Sequence, residues 1–187
     1  MPLAPGLLER FLPEAEEHRV FVETGTHRGD GVGCALRAGF VAVYSCDVSE
    51  FAFGWACHRF KGRRDRAHLF LMDSRDFLRG VTVHLRRPAV FWLDAHWCGG
   101  NGEVGGRDGG AQADHPLLEE LDIIGEHPIK RHTLLIDDRR LMGVEAGWPT
   151  EQQVRDRVRQ INPLYLFETA DSDEFSDDVL IARVPVP

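Results

Sequence analysis

Five acidic residues of this 187-residue chain each stand directly after a short apolar run: Glu23, Asp47, Asp73, Asp94 and Asp137, the last followed at once by Asp138. An acid at a helix N-terminus is ordinary. Five at equivalent places exceed what capping requires. If the apolar runs are parallel strands, their carboxylates gather at one edge of the sheet, where open α/β sheets bind ligands. Neighbouring strand ends lie about 5 Å apart, so Asp94, Asp137 and Asp138 would repel one another unless protons or a cation intervened. Hard oxygen ligands of this kind suit Mg2+ or Ca2+. The competing reading has Arg139 and Arg140 neutralise the pair without a metal.

His96 follows Asp94 by two positions. With a free pKa of about 6.5, an imidazole there can take a proton from an acceptor hydroxyl near neutral pH. The alternatives are a histidine bonded into its own loop, or a zinc ion collected by His96, Cys98 and His115, whose spacing does not match a compact structural site. Trp97 and Trp148 are candidates to flank an acceptor ring or sugar.

The segment Val22-Glu23-Thr24-Gly25-Thr26-His27-Arg28-Gly29 has the form of a strand running into a tight turn. Gly25 and Gly29 would let a ligand approach the backbone. Asp47 comes 22 residues after Gly25 and is placed to accept both hydroxyls of a ribose. An adenosine-containing ligand is therefore expected. The loop is not a complete G-x-G-x-x-G, which disfavours a nicotinamide dinucleotide.

Positioning these groups requires strands and helices in alternation. Strands are predicted at 19–23, 41–46, 67–72, 89–93 and 133–136. Helices follow from Gly29 toward Gly39, from 50 to 61 with Phe53, Cys57 and Phe60 inward, and after Pro116 with Leu117, Leu118, Leu121 and Ile124 inward. A capping box at Thr150 to Gln153 opens a last helix carrying Val154, Val158 and Ile161. A hairpin of strands at 164–167 and 179–184 closes the chain. The expected architecture is one α/β domain over 1–187, a doubly wound, mostly parallel Rossmann-like sheet of seven strands with the last antiparallel. Residues 1–18 form an N-terminal extension and 97–115 a long glycine-rich loop.

With these motifs in order, the chain resembles class I S-adenosylmethionine (SAM)-dependent methyltransferases. Val22 to Gly29 is similar to the family's first motif, Cys46-Asp47 to its ribose acid, and Met72-Asp73-Ser74-Arg75-Asp76-Phe77-Leu78 to its motif beside adenine. The resemblance implies Glu23 and Gly25 near the methionine end, with Thr26, Gly29 and Asp94 also binding the cofactor. It implies Asp47 on the ribose, and Asp73 and Ser74 near adenine. Asp94, Asp137 and Asp138 resemble the Mg2+ ligands of metal-dependent catechol-type and sugar O-methyltransferases. Those enzymes place a lysine three positions after the first acid, where this chain has Trp97; His96 is the substitute, so His96 and Asp94 are the catalytic candidates.

Composition narrows the partners. A net charge of −8 argues against a broad grip on a phosphate backbone, so no nucleic-acid partner is expected despite local clusters such as Arg86-Arg87. No apolar run reaches the ~18 residues of a membrane span, and no secretory signal is seen, so a cytoplasmic location is expected. The four cysteines show no CxxC pairing and are expected to be free. The sequence thus points to methyl transfer onto a hydroxyl of a small molecule or carbohydrate, with 97–115 and 139–149 walling the acceptor. A nucleotide- or dinucleotide-binding enzyme, a non-catalytic binding protein and a homo-oligomer stay open as alternatives.

Overall fold

The computed structural model describes residues 3–4, 6–15, 19–96 and 115–185. Seven strands form one sheet: β1 Val20–Thr24, β2 Ala42–Asp47, β3 Ala67–Leu71, β4 Val90–Leu93, β5 Thr133–Ile136, β6 Leu166–Ala170 and β7 Val179–Arg183. Their order is β3-β2-β1-β4-β5-β7-β6. The first five run parallel, while β7 lies antiparallel between β5 and β6. Among the described residues, five α-helices accompany them: α1 Asp30–Ala38, α2 Glu50–Arg59, α3 Ser74–Thr82, α4 Leu117–Glu126 and α5 Glu151–Ile161.

Side chains alternate across a strand, and that alternation builds two core layers. Val22, Cys46, Phe91, Leu93, Leu134 and Ile136 share one cluster with Phe77, Leu78, Leu121, Ile124, Val154 and Val158 of α3, α4 and α5. Phe21, Val43, Trp92 and Leu135 share the other with Val32 and Ala35 of α1 and Leu8 of a short 3-10 turn. β4 is buried at all four positions, as a central parallel strand must be. Fully burying each such side chain stabilises the fold by about 1.5–3 kcal/mol.

Helix boundaries have local causes. Gly39 caps α1 at φ 105°, a left-handed conformation that glycine adopts without a Cβ clash. The Thr150 capping box is present with both of its reciprocal bonds. The inward face of α2 differs from expectation. Ala52, Ala56 and Phe60 are buried, whereas Phe53 and Cys57 flank them half-buried. Small residues face the sheet because α2 packs close to β2 and β3. β6 also starts later than expected, because Asn162 Oδ1 accepts the Leu164 amide and holds 162–164 in a turn. Cys34, Cys46 and Cys57 are free thiols; Cys98 lies outside the described residues. Among the described residues, no helix is long and apolar enough to cross a membrane.

β1 pairs with β2 on one side and β4 on the other, so the chain's winding reverses there. That switch point is where such sheets open a crevice. At the opposite edge, His132 precedes β5 and its Nδ1 accepts the Ala89 amide at 3.1 Å. Its Nε2 therefore carries the proton and faces His127 Nδ1 at 3.0 Å. Burial holds His132 neutral, lowering its pKa to about 3.

Candidate active site

The turn after β1 is shaped by its neighbours. Gly25 has φ +88°, and a Cβ there would sit 2.4 Å from the Asp94 carbonyl oxygen. Gly29 has φ +78°, and its Cβ would meet the Phe60 ring at 2.5 Å. Backbone conformation and close contact with β4 and with Phe60 thus each require glycine at these positions. Gly31 is equally constrained, because a Cβ would fall 1.8 Å from Glu23 Oε1.

Glu23 and Thr26 face inward. The Ser45 hydroxyl donates to Glu23 Oε2 at 2.5 Å, and Thr26 Oγ1 lies 2.5 Å from Ser45 Oγ. Thr26 therefore donates to Ser45, and the three form a buried relay under the loop. Burial raises the Glu23 carboxyl to about 8, with the Asp94 charge adding to the effect against the Ser45 bond. Asp47 ties the loop to β2: it accepts the His27 amide at 2.7 Å and the Ser49 amide at 2.8 Å. His27 itself sits at φ 45°.

Asp73 caps α3 through the Arg75 amide and grips the Arg75 guanidinium with both oxygens at 2.9 Å. That pairing holds its pKa below the usual range. Ser74 is buried beside Glu120, which the sequence reading did not single out. Glu120 is 1% exposed, and burial raises it to about 7 against the hydroxyls of Ser74 and Thr24. Its position three after Leu117 and four before Ile124, on the apolar stripe of α4, was the available signal.

The acids of β4 and β5 come together as expected. The Asp137 amide donates to the Leu93 carbonyl at 3.1 Å, which sets Asp137 beside Asp94. His96 lies between carboxylates, with Nδ1 3.2 Å from Asp94 Oδ1 and Nε2 3.2 Å from Asp138 Oδ2. One ligand atom from each of Asp94, His96 and Asp138 falls within 4.8 Å of the others, and the same holds for Asp137, Asp138 and Asp178. Asp137 Oδ1 accepts the Asp138 amide, while its Oδ2 is buried without a hydrogen-bond partner. Burial, then the charges of Asp94 and Asp138, push the Asp137 carboxyl up. Asp138 holds φ 54°, a strained left-handed conformation for a non-glycine residue.

Arg139 does not serve this cluster; its guanidinium pairs with Glu151 at 2.8 Å. Arg140 does, reaching Asp138 Oδ1 at 2.5 Å and also contacting Asp178. Asp178, at the start of the last strand, was missed because nothing local marks it among the acids of that turn.

His115 and Trp148 wall the cluster. Their ring centroids are 4.0 Å apart, and Trp148 lies 5.2 Å from His96. Burial, then the His96 charge, lowers His115 to about 4. The His96 and His115 rings stack 6.4 Å apart. Trp97, Cys98 and most of the 97–115 loop lie outside the described residues, so that part of the acceptor wall and the zinc alternative fall there too.

Strand order, the antiparallel β7 and helices on both faces define the Rossmann-like fold of class I methyltransferases. Solved structures sharing it include an O-methyltransferase from Bacillus cereus in complex with S-adenosylhomocysteine (SAH), with a TM-score of 0.62, 15% identity, and coverage of 91% of this chain and 76% of that one. A candidate caffeoyl-CoA O-methyltransferase from Staphylococcus aureus matches with a TM-score of 0.61 at 12% identity, over 96% of this chain and 81% of that one. An rRNA methylase from Streptococcus thermophilus matches with a TM-score of 0.53 at 16% identity, over 95% and 92%. No protein-family model matches the sequence, and no curated protein matches it. At these identities the likeness is one of fold.

Proposed function

We propose that this protein transfers a methyl group from SAM to a hydroxyl oxygen of a small-molecule or carbohydrate acceptor, with a divalent cation, Mg2+ first, assisting. The observation that carries this is His96 set between Asp94 and Asp138 at the switch point of the sheet.

The cofactor would lie across the ends of β1 and β2, with Asp47 toward the ribose and Asp73 and Ser74 toward adenine. Asp47 accepts the His27 amide of the glycine loop, a contact that supports placing it toward the ribose. The SAH complex of the Bacillus cereus enzyme supports the cofactor class on this fold.

The donor set fits a hard cation: Asp94, His96 and Asp138 converge in one group, Asp138 is shared with a second formed with Asp137 and Asp178, and Asp137 Oδ2 is buried with no donor to satisfy it. Asp94, Asp137 and Asp138 would hold the ion, and it would lower the pKa of an acceptor hydroxyl. The chain's own residues do the rest. The methyl–sulfur bond breaks as the methyl–oxygen bond forms, and the hydroxyl proton passes to His96. Asp94 and Asp138 then stabilise the imidazolium, and Trp148 and His115 orient the acceptor and exclude water.

A small acceptor is favoured over a nucleic acid by the net charge of −8. The test is calorimetric titration with SAH, with and without Mg2+, followed by an acceptor screen in Mg2+ and in EDTA. Micromolar SAH affinity and EDTA-sensitive turnover are expected. Absence of SAH binding in both buffers overturns the reading.

A further inference from the structure

Asp178 and Arg140 border the acid cluster, and the proposed chemistry uses neither. Asp178 is fully buried, and every polar atom of its side chain is engaged. Oδ1 accepts the Arg140 amide at 3.1 Å. Oδ2 accepts the Ser172 hydroxyl at 3.2 Å and contacts the Arg140 guanidinium. The Asp178 carbonyl takes the Arg139 amide at 2.8 Å. The same guanidinium lies over the Phe175 ring, 4.1 Å from its centroid, and touches Asp138 Oδ1 at 2.5 Å. Arg140 is thus fixed by Asp178 and Phe175 of the turn between β6 and β7 and by Asp138 after β5.

The two oxygens of Asp138 are divided by this arrangement. Oδ1 faces Arg140, and Oδ2 faces His96. Carboxylate oxygens of Asp137, Asp138 and Asp178 meanwhile lie within 4.8 Å of one another. Oxygens on opposite sides of an octahedral ion with bonds of about 2.1 Å are about 4.2 Å apart, so the group is nearly the size of a seat for one. Asp137, only 3% exposed, contributes a buried oxygen that no donor satisfies.

We infer that Arg140 is the resident counter-cation of this group: a positioning residue that turns Asp138 toward Asp94 and His96 and closes a seat that Asp137, Asp138 and Asp178 would otherwise offer a divalent ion. The inference rests on the metal-assisted reading for its functional meaning, and its test is separate. Without the guanidinium, Asp138 and Asp178 would be buried carboxylates lacking a compensating charge, a costly state that recruits a cation. With it, the cluster is confined to one ion, held on the His96 side.

The experiment counts Mn2+ ions per full chain by electron paramagnetic resonance, using wild type, Arg140→Gln, Arg140→Lys and the double variant Arg140→Gln with Asp178→Asn. Arg140→Gln should bind one Mn2+ more than wild type. Arg140→Lys, which keeps the charge, should not, and the double variant should lose the extra ion. An equal count in wild type and Arg140→Gln overturns the inference. Wild type binding no Mn2+ sinks the metal-assisted reading, while an extra ion in Arg140→Gln would still carry the inference. Thermal melts accompany each count. If Arg140→Gln is unfolded alone, recovery of its transition on adding Mn2+ supports the seat, and failure to recover overturns it.

Discussion

His96 bridges Asp94 and Asp138, one ring nitrogen 3.2 Å from each carboxylate. As a neutral base the ring can donate to one of these carboxylates, and once it has taken the hydroxyl proton it can donate to both, which stabilises its charged form. Removing either partner should therefore act on the chemical step. Asp94→Asn and His96→Gln are each expected to lower turnover by ~100-fold or more, while SAH affinity measured by calorimetry changes by less than about threefold. Parallel losses of turnover and affinity would place Asp94 on the cofactor instead.

Gly25 and Asp94 make the closest constraint on the loop. A methyl group at Gly25 meets the Asp94 carbonyl at 2.4 Å, from a backbone φ of +88°. Gly25→Ala should cost about 1–3 kcal/mol of stability from strain alone, read by urea denaturation, and should weaken SAH binding by displacing the β4 end. Wild-type stability in this variant would mean that the turn relaxes freely.

Glu23 and Glu120 both weaken stability on the alkaline side, in the same direction as Asp137. Glu23 is raised to about 8 and Glu120 to about 7, each from 4.5. Between those limits the folded chain binds more protons than the unfolded one, so stability is full below pH ~4.5 and declines as pH rises through the folded values, by up to ~1.4 kcal/mol per pH unit for each group. Urea unfolding at pH 5.5 and 8.5 should show this loss in wild type, and Glu23→Gln and Glu120→Gln should each flatten it. Unchanged slopes in both variants would contradict the raised values.

On the acid side, alongside His115, His132 contributes. Its pKa is lowered from 6.5 to about 3, so its contribution is full above pH ~6.5 and is lost as pH falls toward 3. His132→Asn should reduce the stability lost between pH 7 and 5, followed by the same denaturation. A steeper loss in the variant would point to a different titrating group.

The sheet was legible because its signals are local. Apolar runs such as Val90 to Leu93, Gly39 at a helix end and the Thr150 capping box each declare an element by themselves. The alignment of Asp94 with Asp137 followed from strand ends alone. What was not legible depends on distance in the chain. Arg140 and Asp178 are brought together only because β7 enters between β5 and β6, and the predicted hairpin did not specify that order. Glu120 was passed over because an acid on an exposed first turn looks the same in sequence as one on the buried face. The packing constraints on Gly25 and Gly29 were not legible for a related reason: the atoms that exclude a Cβ, the Asp94 carbonyl and the Phe60 ring, come from segments far along the chain.

The interior position of β7 also bears on how the molecule is made. β5 gains its second neighbour only from residues 180–182, and Arg140 gains its clamp only from Asp178. During synthesis the earlier strands can collapse while that flank of β5 stays open, an unpaired edge of the kind that invites aggregation. Closing the sheet and locking Arg140 onto Asp178 are then one late event, so a nascent chain halted before Asp178 holds most of the core yet lacks the finished carboxylate cluster.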